Sequence, residues 1–564
     1  MNSIQNFLAL TLVGSILPVN ASQTLAQIPT RPDPITPVPP LEKPQPIEKP
    51  QLEIPPPQTP PAPFEEIPGT IKVNGFEFID NTAFSNEELN EVVKNFIGKE
   101  LTFSDLIAIE EIITNLYISN GYINSGAVIE AGQSLSPEGA IVKITIIEGG
   151  IEDIKVTGTR RLRPEYVRSR LGLAVQTPLN QNRLLEALQL LQLDPQIKNI
   201  SAQLSAGVRP DLSLLEVEVT EADTFNIDVF ANNGRNPSVG SFQRGVYIQE
   251  RNLFGFGDSI DLTYNNTDGS NAVDLSYVIP VSPHNTTIRL AGGYSSNEVV
   301  DRLFNDIDLT GNYYYYELSF RQPLIQSPTQ EFALGLTLSR QESKNFLEGE
   351  GFPLSAGANN QGEVRISAIR LFQDWVKRNP REVIAVNSQF SIGVNAFDST
   401  INSDGIPDGT FFAWRGQGQY VRLLAPETLL VVRSDLQLSN EPLLALEQFS
   451  VGGLGSVRGY RQDLLLTDNG VLLSTEVRLP ILRVSRIEGV LQVIPFIDFG
   501  VGWNNGEFSN PDPNTLVGVG LGLLWQMGER LNARFDWGIP LVSTDVEKDS
   551  LNDRGLYFSL NFRF

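Results

Sequence analysis

Side chains that commonly perform chemistry are scarce in this sequence. Its 564 residues include one histidine, His284, and no cysteine, which excludes thiolate nucleophiles, disulfides and multi-histidine metal sites. It contains neither a G-x-S-x-G nucleophile elbow nor a G-x-x-x-x-G-K-[ST] phosphate loop. Gly518, Gly520 and Gly522 alternate as in a crowded strand, and His284 follows two prolines in a predicted turn. We therefore expect no enzyme, no metal and no small-molecule cofactor.

The composition points instead to a sheet between lipid and water. The net charge is −24, which argues against a nucleic-acid partner because such a partner requires a basic face. Charged residues make up 19 % and apolar residues only 41 % of the chain, with 47 Gly, 30 Phe, 14 Tyr and 5 Trp. The charged fraction is below the roughly 25 % of soluble domains, yet the chain is too polar for a helical membrane protein.

The N-terminal region predicts export and then a spacer. Residues 1–26 hold a short apolar run followed by small residues, as in a secretory signal peptide, although no Lys or Arg occurs in the first 30 positions. The alternative is a buried N-terminal helix. Residues 27–69 are rich in proline and predict an extended polyproline II linker. A peptide ligand for a proline-reading domain is the alternative for this segment.

An internal repeat follows the linker. Ile71–Gly75 (IKVNG) recurs as Ile154–Gly158 (IKVTG), and the patterns around both copies predict the order β-α-α-β-β. The predicted domains are residues 70–149 and 150–222. Each sheet of three strands leaves at least one edge that accepts an extended peptide as an added strand. The alternative is that the two domains are spacers only.

Local signals place the helices within each copy. Ser85 and Glu88 form a capping box before an apolar helical face that runs to Ile97. A second helix ends at Asn120-Gly121. In the second copy Pro164 leads the first helix and Asn180 caps the next.

From residue 223 to residue 564 the helical period gives way to a period of two. In the last strand Leu556, Phe558 and Leu560 alternate with Tyr557 and Ser559. A sheet in lipid must close because an open edge leaves backbone groups unsatisfied in hydrocarbon. The pattern predicts sixteen strands that begin near residues 224, 240, 258, 271, 286, 311, 330, 361, 382, 410, 429, 470, 489, 515, 530 and 555. A soluble β-sandwich is the alternative.

Five motifs in this region carry a resemblance. They are Asn252–Asp258 (NLFGFGD), Glu447–Tyr460 (EQFSVGGLGSVRGY), Thr467–Gly470 (TDNG), Glu476–Pro480 (EVRLP) at the end of a strand, and Phe496–Gly500 (FIDFG). Together they closely resemble the TpsB transporters of two-partner secretion, the haemolysin secretion/activation (ShlB/FhaC/HecB) family of POTRA-barrel proteins. The resemblance implies an α+β region followed by an all-β region, with two β-α-α-β-β POTRA domains followed by a 16-stranded antiparallel transmembrane β-barrel.

The resemblance also implies a site. Loop 441–469 would fold back into the barrel and carry Val457, Arg458, Gly459 and Tyr460 into the lumen. Its partner would be the strand motif of Phe496, Asp498 and Gly500, with Arg458 paired to Asp498. A guanidinium inside the lumen needs a planar acceptor, which a bidentate carboxylate supplies. The alternative is a solvated external loop whose arginine binds nothing.

One departure concerns the N-terminal segment. Some relatives plug the barrel with an N-terminal helix, but the corresponding stretch here is rich in proline and does not form a long helix. Either residues 26–70 thread the lumen in an extended form, or they stay outside and the plug is missing.

The implied function is protein secretion. A barrel in the outer membrane, contacting lipid, would export an unfolded TpsA-type exoprotein that docks on the periplasmic POTRA domains, without nucleotide hydrolysis. The alternatives are an insertase that assembles other outer-membrane barrels and a plain solute porin.

Overall fold

A computed structural model describes residues 44, 50–53, 69–130, 132–133, 139–209, 211–301, 307–403, 405–546 and 548–564. The predicted signal peptide, residues 1–26, and most of the predicted linker lie outside these residues. The chain divides into two compact units. One is Ile47–Asp223 with Phe254–Gly257, and the other contains Thr224–Leu253 and Asp258–Phe564.

The first repeat has the predicted order of elements. Its elements are β2 (Ile71–Ile79), α1 (Asn86–Val93), β3 (Glu100–Leu101), α2 (Phe103–Ser119), β4 (Gly126–Val128) and β5 (Ala140–Ile147), and its sheet has the order β3-β2-β5-β4. Capping boxes start both helices: Ser85 pairs with Glu88, and Thr102 with Asp105. Helix α1 ends at Val93 rather than near Ile97, because a short 3₁₀ turn follows it and leaves Ile97 39 % exposed.

The second repeat follows the same plan. Its elements are β6 (Gly150–Thr157), α3 (Pro164–Gly172), α4 (Gln181–Gln192), β7 (Ile197–Ala206) and β8 (Leu212–Glu221). Pro164 occupies the first turn of α3. The side chain of Asn180 accepts a 2.9 Å hydrogen bond from the Asn182 amide at the start of α4. The predicted helix starts of this copy are therefore correct.

Among the described residues each sheet has four strands, so the prediction of three was wrong. In the second repeat the added strand is β1 (Gln51–Glu53), which comes from the proline-rich segment and pairs in parallel with β7. Leu52 of this strand packs against the apolar core of the second repeat. In the first repeat the added strand is β3, whose two residues pair with the start of β2. Strands this short carry no period-two signal, which explains why the sequence did not predict them.

The C-terminal unit is a closed antiparallel barrel of sixteen long strands. They are β9 (Phe225–Asn232), β10 (Gln243–Arg251), β11 (Ser259–Asn266), β12 (Ser270–Pro280), β13 (Thr287–Glu298), β14 (Leu309–Ser327), β15 (Gln330–Leu347), β17 (Glu363–Asn379), β18 (Glu382–Gly393), β19 (Phe412–Ala425), β20 (Thr428–Ser439), β23 (Asn469–Val484), β24 (Gly489–Trp503), β25 (Thr515–Met527), β26 (Leu531–Pro540) and β27 (Leu556–Arg563). A two-residue strand, β16 (Glu350–Gly351), extends β15, and pairing of β27 with β9 closes the ring. The predicted count is confirmed, and His284 lies in the turn between β12 and β13.

The strands alternate as a membrane barrel requires. On β15, Leu334, Leu336 and Leu338 are 38–46 % exposed on the outer face, whereas Thr337 and Ser339 are at most 8 % exposed. Apolar side chains thus cover the outside and polar side chains line the inside. A sandwich of two stacked sheets is the wrong alternative, because the sheet closes on itself. In the described part of the chain, no helix is both long and apolar enough to cross a membrane.

Candidate functional site

The candidate site is built by the long connection between β20 and β23. The connection contains a 3₁₀ turn, Ala445–Glu447, and then a ribbon of β21 (Phe449–Val451) and β22 (Leu465–Thr467). Phe449 pairs with Thr467 and Val451 with Leu465. The ribbon carries the predicted loop motif, residues 457–460, at its tip. We call residues 449–467 the tip segment.

The tip segment lies inside the barrel. Val457, Arg458 and Tyr460 are at most 3 % exposed. The wall residues that contact Arg458 alternate with outward-facing neighbours. Asp498 is fully buried, for example, whereas Ile497 beside it is 51 % exposed. Because successive side chains of a strand point to opposite faces, the contacts of Arg458 are all on the lumen side.

Arg458 and Asp498 form a bidentate ion pair. Nε of Arg458 donates to Oδ2 of Asp498 at 2.7 Å, and Nη2 donates to Oδ1 at 2.8 Å. The backbone amide of Arg458 donates to Oδ2 at 3.1 Å, and the Ser474 hydroxyl donates to Oδ1 at 2.7 Å. A guanidinium and a carboxylate in this parallel arrangement give the strongest geometry available to such a pair. The geometry does not fit a solvated external loop.

The pair belongs to a larger charged network that sequence reasoning did not find. Nη1 of Arg458 also lies 3.2 Å from Oε2 of Glu476 and 3.4 Å from Oδ1 of Asp536. Arg534 joins these two carboxylates, at 2.8 Å to Glu476 and 2.6 Å to Asp536. Arg478 contacts Glu476 at 2.7 Å. Three guanidinium groups therefore form ion pairs with three carboxylates.

A sequence signal for this network existed. Glu476 and Arg478 lie two residues apart on β23, as do Arg534 and Asp536 on β26. Charged residues at alternate positions of spanning strands face the lumen, where they require partners. The sequence does not show which strands bring these partners together, because the pairing spans 78 residues between Arg458 and Asp536.

The other predicted motif residues surround Arg458. Phe496 presents its ring 3.5 Å from the Arg458 Cζ atom, a cation–π contact. The Tyr460 hydroxyl donates to the Val517 carbonyl at 2.8 Å and accepts from the Val542 amide at 3.0 Å. Tyr460 thus fixes the tip segment to the residues that follow β26 as well as to β25.

Glycines permit the close approach of the tip to the wall. Gly459 has φ +109°, and its amide donates to the Tyr557 hydroxyl at 3.0 Å. A Cβ atom on Gly518 would lie 1.9 Å from the Arg458 carbonyl oxygen, and one on Gly500 would lie 2.8 Å from Val457 Cγ2. Gly518, Gly520 and Gly522 are all in β25, as predicted for a crowded strand. The absence of side chains at Gly500 and Gly518 leaves the space that the loop occupies.

A closed sixteen-stranded barrel preceded by POTRA-type repeats defines a class of outer-membrane proteins. The family model "Haemolysin secretion/activation protein ShlB/FhaC/HecB" matches residues 211–524, and the model "POTRA domain, ShlB-type" matches residues 71–149. The chain belongs to the haemolysin secretion/activation family. Its barrel lies in the outer membrane and its POTRA region in the periplasm. The resemblance inferred from the sequence motifs is confirmed.

Relatives and solved structures agree with this assignment. The chain is 22 % identical over 460 residues to the heme/hemopexin transporter protein HuxB of Haemophilus influenzae, covering 79 % of each chain. It is 22 % identical over 485 residues to the outer membrane transporter CdiB of Escherichia coli, covering 82 % of this chain and 78 % of CdiB.

Two solved structures share the fold. CdiB from Escherichia coli superposes with a TM-score of 0.69 at 19 % identity, covering 93 % of this chain and 94 % of CdiB. BamA from Haemophilus ducreyi lacking POTRA domains 1–3 gives 0.53 at 15 % identity, covering 89 % of this chain and all of that structure.

Proposed function

We propose that this protein is an outer-membrane pore that recognises an unfolded exoprotein through its POTRA domains and exports it through the barrel. The observation that carries the proposal is the loop inside the closed barrel, held to the wall by the Arg458–Asp498 pair. The loop is joined covalently to the barrel only at its two ends, and non-covalent contacts hold it in the bore, so it acts as a removable plug. Family membership and the transporter names of HuxB and CdiB support this function.

The wall of the barrel suits an extended polypeptide. Neutral polar side chains are buried on the lumen face of neighbouring strands, including Ser339, Gln341, Ser391, Gln417 and Gln419. Such groups exchange hydrogen bonds with a passing backbone. The sequence contains no nucleotide-binding loop. Folding of the cargo outside the cell would therefore supply the driving force, because a folded cargo does not return through the barrel. The proposal includes no catalytic step.

Docking of the cargo is proposed to occur by strand addition at a POTRA sheet edge. The pairing of β1 with β7 supports this mode, because it places an extended segment of three residues on the edge of the second sheet. In the first sheet β4 pairs, among the described strands, with β5 alone. Main-chain hydrogen bonds supply much of the binding in strand addition and tolerate varied side chains.

Deletion of the gene in its native host tests the proposal. We expect one large protein to disappear from the culture medium while the other barrels of the outer membrane keep their normal levels. A general loss of outer-membrane barrels would contradict export and indicate the insertase instead. An unchanged medium and an unchanged membrane would contradict both. Complementation with the intact gene is the control.

A further inference from the structure

The loop touches the wall at a second place, far around the ring from Asp498. Glu447 ends the 3₁₀ turn just before the tip segment, and Arg370 on β17 binds it. Nη2 of Arg370 donates to Oε1 of Glu447 at 2.6 Å, and Nη1 donates to Oε2 at 3.0 Å. Their side chains are only 10 % and 8 % exposed. In the order of the ring, β17 lies five strands from β24, which carries Asp498.

The wall is built to hold this contact. Gln341 of β15 donates to Oε1 of Glu447 at 2.7 Å. Arg370 is itself oriented by Ser339 of β15, at 3.1 Å from its Nε, and by Ser391 of β18, at 2.9 Å from its Nη1. Hydrogen bonds from several strands fix the direction of the guanidinium, as a bidentate pair requires.

Separate apolar cores hold the two parts of the loop. Residues 443–447, which we call the limb, insert Leu443, Leu444 and Leu446 into a cluster with wall residues Tyr313, Tyr315, Val364, Ile366, Ala368, Phe411 and Ala413. The tip segment packs in a different cluster with Leu472 and Leu516 of the wall. The two clusters have no residue in common.

We infer that Glu447 and Arg370 are positioning residues whose ion pair holds the limb in the bore independently of Arg458. We call this ion pair the latch. With this latch closed, release of the ion pairs of Arg458 and Arg461 frees the tip segment while the limb stays in the bore. Clearing the bore then requires the Glu447–Arg370 pair to open as well as the pairs of the tip segment, Arg458 with Asp498 and Arg461 with Asp301. The role of this latch in export rests on the proposed function. The prediction about loop motion does not, because it follows from the contacts between the loop and the wall.

Cysteine labelling of the purified full-length protein tests the inference, since the natural chain has no cysteine. Val457→Cys reports on the tip segment, where Val457 is fully buried, and Ala445→Cys reports on the half-buried limb. Each reporter is combined with Asp498→Asn, with Glu447→Gln and with both substitutions. The rate of reaction with a water-soluble maleimide is measured in detergent micelles.

The expected rates separate the two parts of the loop. Asp498→Asn raises labelling at position 457 about tenfold but changes labelling at position 445 by less than about twofold, because only the tip has lost one of its charged partners. Adding Glu447→Gln then raises labelling at position 445 about tenfold. Arg370→Gln with Asp498→Asn gives the same result by removing the other partner of the latch.

Asp374→Asn is the matched control. Asp374 lies on the same strand as Arg370 and pairs with Arg321 at 3.1 Å, which joins wall to wall. Combined with Asp498→Asn, it leaves labelling at position 445 unchanged. The inference is overturned if Asp498→Asn alone exposes position 445, or if Glu447→Gln has no more effect than Asp374→Asn. Because no cargo is present, either outcome is independent of the deletion experiment in the native host.

Discussion

The two units of this protein stabilise their interiors in different ways. The POTRA-type repeats bury apolar cores, such as Leu184, Leu188 and Leu215 in the second repeat. The barrel exposes apolar side chains on its outer face, and its inner loop is held by ion pairs as well as by two apolar clusters. The POTRA cores resist opening over their whole surface, whereas the loop depends in addition on directional ion pairs.

The difference suits the two tasks proposed for the units. A docking domain must keep its shape while a strand joins its edge. A plug must stay in the bore at rest and leave it when a few contacts break. Because the Arg458 and Asp498 side chains are 4 % and 0 % exposed, the pair lies toward the buried limit, where loss of one partner costs about 3–5 kcal/mol.

Removal of the charged tether is expected to give the largest effect. Arg458→Ala leaves three carboxylates with two guanidinium groups and destabilises the seated loop by about 3–5 kcal/mol. Asp498→Ala has a smaller effect, because Glu476 and Asp536 still contact Arg458. We expect less exoprotein in the medium from both variants, with normal amounts of folded, heat-modifiable barrel in the membrane. Normal export by both variants would contradict the tether.

Adding a side chain to the barrel wall is expected to displace the tip segment without changing any charge. Gly518→Ala places a Cβ atom 1.9 Å from the Arg458 carbonyl oxygen, an overpacking that costs about 1–3 kcal/mol. The labelling rate of Val457→Cys in this background should rise severalfold. Gly455→Ala, where a Cβ meets nothing within 4 Å, is the control and should leave the rate unchanged. Equal rates in the two backgrounds would show that the tip is not packed against β25.

In the POTRA unit, an apolar contact rather than an ion pair holds the strand β1 in place. Leu52→Asp removes the side chain that packs β1 on the second core, at a cost of about 1 kcal/mol. Hydrogen exchange at the β7 amides of Ser201–Gln203 should then become severalfold faster in the full-length protein. Gln51→Asp adds the same charge at an exposed position and should have little effect. Unchanged exchange in Leu52→Asp would argue that β1 does not cover this edge.

Loss of the charge of Glu148 in the POTRA unit should have the smallest effect, because this carboxylate is partly exposed. Burial alone would raise the pKa of Glu148, but hydrogen bonds from Thr82, Ala83 and Tyr117 outweigh this and lower the pKa below its ordinary value of 4.5. The carboxylate therefore stabilises this region at neutral pH, and the contribution is lost as the pH falls through the lowered pKa.

Amide protection factors at Thr82 and Ala83 measure this contribution. They should fall between pH 6 and pH 3 by an amount worth less than about 1 kcal/mol. In Glu148→Gln the protection should be lower at pH 6 and no longer depend on this titration. An equal pH dependence in the variant would assign the effect to another group.

The regular parts of both units could be predicted from the sequence because their signals are local. Each of the sixteen barrel strands begins within three residues of its predicted start, since period-two alternation is visible along the strand itself. The capping residues Ser85 and Asn180 likewise mark helix starts from adjacent positions. The resemblance to the family added the proximity of Arg458 and Asp498, which no local pattern contains.

The unpredicted features depend on contacts between distant residues. The strand β1 has three residues in a proline-rich segment and exists only because β7, some 150 residues away, offers an edge. Arg534 and Asp536 join the network through strand pairing, and Glu447 meets Arg370 across 77 residues. In each case the sequence supplies the charge or the extended segment, and the folded sheet supplies the partner.

A cross-link between the loop and the barrel tests the central claim most directly. An ideal Cβ on Gly234, in the connection between β9 and β10, lies 3.6 Å from the Cβ of Leu454, a distance that suits a disulfide. In a Gly234→Cys/Leu454→Cys strain, we predict that the oxidised pair stops export of the protein missing from the deletion strain and that reductant restores it. Each single variant should export normally. Export at the wild-type level with the cross-link formed would contradict the claim that the loop must leave the bore.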